Sequence, residues 1–118
     1  MTSVVIPWRS GCPYRQRALV WVLGRWAERF PTFDVVLGVH DDGPWCKAAA
    51  VADGLSKVAD GALILADADV WPLRPEALTV AVGALSEYGW AIPHGDVQRL
   101  TETASEAFMA DQPLPPRP

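Results

Sequence analysis

The sequence predicts an α/β fold: three layers, α/β/α, built on a mostly parallel sheet of about four strands. Two observations carry this. Short apolar runs of strand length (Val4-Val5-Ile6, Val35-Val36-Leu37-Gly38-Val39 and Ala62-Leu63-Ile64-Leu65-Ala66) alternate with longer stretches of helical periodicity. Each run then breaks into polar or turn-forming residues, as buried strands do when they reach the edge of a sheet.

Each element has its own warrant. Val4-Val5-Ile6 reads as a buried strand stopped by Pro7, with residues 8–12 as a loop and Pro13 in the first turn of a helix. Over 14–30, Leu19, Val22, Leu23, Trp26 and Phe30 fall on one helical face, and Pro31 ends the helix. Asp34 leads into the second strand, which breaks at His40-Asp41-Asp42-Gly43-Pro44. A second helix over 45–59 places Ala48, Val51, Ala52, Leu55 and Ala59 on a small-residue face suited to close packing, with Gly61 as its C-terminal cap.

The run 62–66 is expected to be buried on both sheet faces, and it ends in Asp67-Ala68-Asp69 before Trp71-Pro72. Arg74-Pro75-Glu76 opens a third helix through Leu78, Ala81, Val82 and Leu85 to about Gly89. Trp90-Ala91-Ile92-Pro93 is expected as a fourth strand, and Asp96 as the cap of a last helix over 97–109. One domain over 1–110 is followed by a proline-rich, mobile tail over 111–118.

Composition narrows the function. Of 118 residues half are apolar, and the net charge of −4 argues against a nucleic-acid polymer as partner. Arg9, Arg15 and Arg17 form the one basic cluster, which suits a small anionic ligand. No apolar run approaches the ~20 residues that span a bilayer, and the N-terminus lacks the pattern of a signal peptide. Cys12 and Cys46 form neither a metal-type pair nor a disulfide framework, so reduced thiols and a cytoplasmic location are expected.

In a parallel sheet all strands point their carboxyl ends to one rim, where ligands of open α/β sheets collect. Pro7-Trp8-Arg9, His40-Asp41-Asp42-Gly43, Asp67-Ala68-Asp69 and Pro93-His94 would meet there. Two carboxylates at one strand end are costly unless a cation or donors offset them, and a divalent metal carrying a diphosphate would do so.

The order Val4-Val5-Ile6-Pro7, Val39-His40-Asp41-Asp42-Gly43, then Lys47 through Asp60-Gly61 to Asp67-Ala68-Asp69 resembles the N-terminal, donor-binding half of a GT-A-type glycosyltransferase, over residues 3–94. The resemblance implies a GT-A (nucleotide-diphospho-sugar transferase) fold. It also implies metal-dependent transfer of a sugar from a UDP- or GDP-sugar donor to an acceptor hydroxyl.

It implies that Pro7, Trp8 and Arg9 line the nucleotide, with Trp8 stacking on the base or else closing the core rim. Asp41 or Asp42 would accept from the base, and Lys47 matches a basic position of the family. Asp69 would ligate Mn²⁺ or Mg²⁺, with Asp67 meeting the ribose or a metal-bound water. His94 is a candidate for metal or acceptor contact.

The acceptor-binding half and its catalytic base have no counterpart in the sequence. The alternative is therefore a non-catalytic nucleotide-sugar-binding module, or a half-enzyme completed by a partner chain or by self-association. A nucleotidyltransferase ranks below both, because residues 7–11 offer a single glycine where that class carries a Gly-rich phosphate loop.

Overall fold

The computed structural model describes residues 1–114. In chain order the elements are β1 (Thr2–Trp8), α1 (Pro13–Arg29), β2 (Asp34–Val39), α2 (Lys47–Leu55), β3 (Ala62–Leu65), α3 (Glu76–Ala84) and α4 (Glu102–Met109). The three strands form one parallel sheet in the order β2-β1-β3. The α/β class and the parallel sheet follow the sequence expectation, and three of the four expected strands are present.

β1 is the centre of the molecule. Its neighbours pair along it in register, Val4 beside both Val35 and Ile64, and every residue from Ser3 to Trp8 is buried. Side chains alternate across a strand, so the two faces divide cleanly. Val4, Ile6 and Trp8 pack with Leu19, Val22 and Trp26 of α1 and with Ala68 and Leu78, which form the main core. On the opposite face Val5 meets α2 at Gly54.

Two glycines bring α2 onto the sheet. A Cβ on Gly38 of β2 would run into the backbone carbonyl of Ala50, and one on Gly54 would run into the Val5 side chain. The buried face of α2 is therefore Ala50 and Gly54. Of the expected contact residues, Ala48, Ala52, Leu55 and Ala59 are exposed and Val51 is half-buried. Small residues do allow the close approach, but on a rotated face. Backbone–backbone proximity decided the rotation, because α2 seats where two glycines face each other.

Aromatic rings close the α1 side. Trp71 stands edge-on to Trp26 at 5.1 Å and to Trp21 at 6.4 Å, while Trp26 leans on Phe30 at 5.5 Å and Phe30 stacks on Phe33 at 4.8 Å. The loop after β3 is thus pinned to α1 by Trp71.

Several expectations need correction. Pro7 does not stop β1: it lies within the strand, paired beside Gly38. The carbonyl of Val5 accepts from the Ala66 amide on the β3 side, and the alternation of the strand points Pro7 that way too. β3 pairs β1 only as far as Val5–Leu65, so the missing N–H of Pro7 faces no ladder partner.

Gly61 is not a helix cap. α2 ends at Leu55, and Gly61 stands just before β3 at φ +146° against the carbonyl of Met1, where a Cβ would collide. Nor is β3 buried on both faces, since Leu63 and Leu65 are exposed. Residues 90–93 join no sheet among the described residues, and Trp90 is 75 % exposed. The last helix starts later than expected and is capped by Thr101, whose hydroxyl accepts from the Ala104 amide at 3.1 Å, rather than by Asp96. Residues 115–118 of the expected tail lie outside the described residues.

Candidate functional site

The rim at the carboxyl ends of the strands is built from three loops. The first leaves β1 through Trp8 and Arg9. Trp8 is buried (7 % exposed) within the main core, with the Arg15 guanidinium 6.0 Å from its ring centre. It closes the core beneath the rim. Arg9 reaches across to the second loop, where its Nη2 donates to the carbonyls of Gly43 at 2.7 Å and Asp41 at 3.3 Å. One guanidinium therefore ties the loop after β1 to the turn after β2. Asp41 and Asp42 stand exposed on that turn.

The third loop follows β3. Ala68 is fully buried in the core, and it separates Asp67 from Asp69, both exposed. The buried Ala68 methyl anchors the triplet in the core, and the turn at 68–69 leaves the carboxylates on either side of it exposed. Asp67 is bonded to Lys47, the first residue of α2, at 2.9 Å. Both partners are about half-exposed, so this pair adds little to stability. Its importance is positional: an ammonium stands at the lip of the carboxylate pair.

Helix geometry adds to the positive side of the rim. α1 and α2 each begin beyond the carboxyl end of a strand, at Pro13 and Lys47. Their N-cap residues, Cys12 and Cys46, make no side-chain bond to the first-turn amides. Neither helix start is capped by its N-cap side chain, and Arg9 and Lys47 put two cationic groups on the same rim.

The site thus brings Pro7, Arg9, Asp41, Asp42, Lys47, Asp67 and Asp69 to one end of the sheet. It does not bring His94 there by a strand, because residues 90–93 are not part of the sheet and His94 is exposed beyond them.

Among the described residues no group of three or more His, Cys, Asp or Glu gathers as a ready-made metal cage. The donor set present is two carboxylates on one turn. That set fits Mg²⁺ or Mn²⁺ held by one or two carboxylates, with phosphate oxygens and water completing the shell. It does not fit a metal held by protein ligands alone.

One important residue lay outside the sequence reading. Asp53 of α2 accepts from the Val39 amide at 2.8 Å and pairs with Lys57 at 2.9 Å, while Lys57 donates to the Leu37 carbonyl at 2.9 Å. The Val39 amide, then Lys57, holds the Asp53 carboxyl below the ordinary carboxylate range. This latch fastens α2 to the end of β2 just before the Asp41–Asp42 turn. Its sequence signal was the Asp53/Lys57 spacing of i,i+4 on one helical face.

No protein-family model matches the chain, and neither does any curated protein or solved structure. No helix among the described residues is long and apolar enough to cross a membrane.

Proposed function

We propose that this chain binds a nucleotide-diphosphate sugar at the carboxyl rim of its sheet and, with Mn²⁺ or Mg²⁺, transfers the sugar to an acceptor hydroxyl, in the manner of GT-A-type glycosyltransferases. One observation carries the reading. Asp67 and Asp69 flank a buried Ala68 at the end of β3, with Lys47 on Asp67 and the Arg9-tied Asp41–Asp42 turn on the same rim.

In this reading Asp41 or Asp42 accepts from the base, and Arg9 keeps that turn in place while offering charge to ribose or phosphate. Pro7 and the buried Trp8 supply the floor. Asp69, which is exposed, holds the metal, and Asp67 meets the ribose or a metal-bound water. Lys47 exchanges its bond with Asp67 for one with a phosphate oxygen, so the anionic leaving group finds a cation already at hand. The metal, when bound with the diphosphate, acts as a Lewis acid on the departing phosphate. Positioning and charge neutralisation then supply rate without a strong base. The two cysteines are unpaired, which suits a cytoplasmic site of action.

Calorimetric titration of UDP and GDP, with and without Mn²⁺, into wild type and Asp69→Ala tests this. Metal-dependent binding of one nucleotide by wild type, lost in the variant, is the expected result. No binding by wild type would overturn the donor site.

The second reading, a donor-binding module that does not turn over alone, draws on the three-stranded sheet and on β3 with its exposed leucines. It predicts nucleotide binding with no sugar release or transfer by the isolated chain. Turnover would eliminate it.

A further inference from the structure

β3 combines an open edge with exposed apolar side chains. It is the end strand of the sheet and pairs with β1 on one side only. In the parallel ladder Ala62, Ile64 and Ala66 turn their backbone groups toward β1, as the bond from the Ala66 amide to the Val5 carbonyl records. By alternation the amides and carbonyls of Leu63 and Leu65 point out from the open edge. The side chains of these same two residues are exposed, Leu65 at 58 % and Leu63 at 36 %. They lie on the sheet face covered by α2, which packs chiefly on β2 and β1.

Edges are normally blunted by a charge, a proline, a bulge or a covering element. Between Ala62 and Leu65 there is neither charge nor proline, and the pairing with β1 runs without a bulge.

We propose that this edge is a pairing surface occupied by a second copy of the chain, whose β3 adds antiparallel across a two-fold axis to make one continuous six-stranded sheet. The strand is self-complementary in this arrangement. With Leu63 of one copy opposite Leu65 of the other, the outward amides and carbonyls of both strands meet as hydrogen-bonded pairs. The leucines of both copies then form one apolar patch of four beside the two α2 helices, and Ile64 lies opposite its own copy on the other face.

The register also separates the flanking charges. Asp67 falls opposite Gly61 and Asp60 opposite Ala68, so no carboxylate directly faces another. A strand from an unrelated protein would find the same hydrogen bonds, but a second copy is always at hand and brings this reciprocal match of leucines and this spacing of acids with it. The proposal rests on sheet geometry alone and stands or falls independently of nucleotide binding.

Sedimentation equilibrium on the full chain, joined to amide hydrogen exchange, tests it. Wild type is expected to reach a mass about twice 12.8 kDa in the micromolar range, with the Leu63 and Leu65 amides protected only as the dimer forms. Leu65→Lys and Leu65→Pro should each return the mass to 12.8 kDa with unchanged circular dichroism. Both substitutions suit the folded protomer, because the side chain and the amide of Leu65 face outward.

A wild type that stays at 12.8 kDa throughout overturns the proposal, and so does fast exchange of both amides in a dimer. A dimer that survives both Leu65 variants also overturns it. Its loss on Val80→Lys would then assign association to the outer face of α3, where Val80 is 73 % exposed.

Discussion

Asp69 and Gly54 mark two opposite kinds of position in this chain. Asp69 is exposed and its side chain makes no hydrogen bond or ion pair among the described residues, so its replacement by alanine should cost little stability, within about 0.5 kcal/mol, while removing metal-dependent nucleotide binding. Thermal unfolding run beside the calorimetry separates the two effects. Gly54 has no side chain to lose, yet it admits no addition. Gly54→Leu would drive into Val5 and push α2 off the sheet, at a cost of roughly 1–3 kcal/mol or more from overpacking. Urea denaturation should show that loss in the midpoint, whereas the same change at Gly83, which has open space around it, should be near neutral by comparison.

Among the elements, α2 has most to do with the rim. It carries Lys47 at its start and Asp53 in its body, and both reach residues at strand ends. The Asp53 carboxyl is held low by the Val39 amide and by Lys57. A carboxyl depressed in the folded state contributes stability above its unfolded value near 3.9, and that contribution is lost as pH falls through the folded value. Wild type should therefore exceed Asp53→Ala in urea midpoint at neutral pH. The gap should narrow once the pH drops below about 4. A gap constant down to pH 2 would mean that the latch works through shape and not charge.

Where α2 would sit was only partly legible. Its small residues announced close packing, and the Asp53/Lys57 spacing was visible. Which face turned inward depended on Gly38, a residue of another element, and helical periodicity contains no information about that partner. α3 is the converse case. Its apolar residues run round most of its circumference, so periodicity could not single out Leu78 as its buried contact.

For the whole molecule, the rim is an excess of acid and not a preformed cage. Four carboxylates, Asp41, Asp42, Asp67 and Asp69, share it with one ammonium and one guanidinium, so under the proposed function a metal supplies the missing positive charge as the diphosphate binds. Mn²⁺ should accordingly bind weakly alone and at least tenfold more tightly once the cognate nucleotide is present, a change of about 1.4 kcal/mol. Titration followed by electron paramagnetic resonance of free Mn²⁺ reads this directly. Equal affinity with and without nucleotide would break the link between Asp69 and the diphosphate.

The sequence by itself determined the α/β class, the three strands, the apolar face of α1 and the delivery of Asp67 and Asp69 to a strand end. These depend on local periodicity and on a topological rule, both written in neighbouring residues. Only the tertiary structure decided that residues 90–93 stay outside the sheet, that Pro7 continues β1, and that β3 is an edge with its leucines outward. An apolar run of four residues reads alike whether its sides are covered or bare. Covering depends on which neighbours pair and where the helices rest, and those are contacts between distant segments that no local pattern encodes.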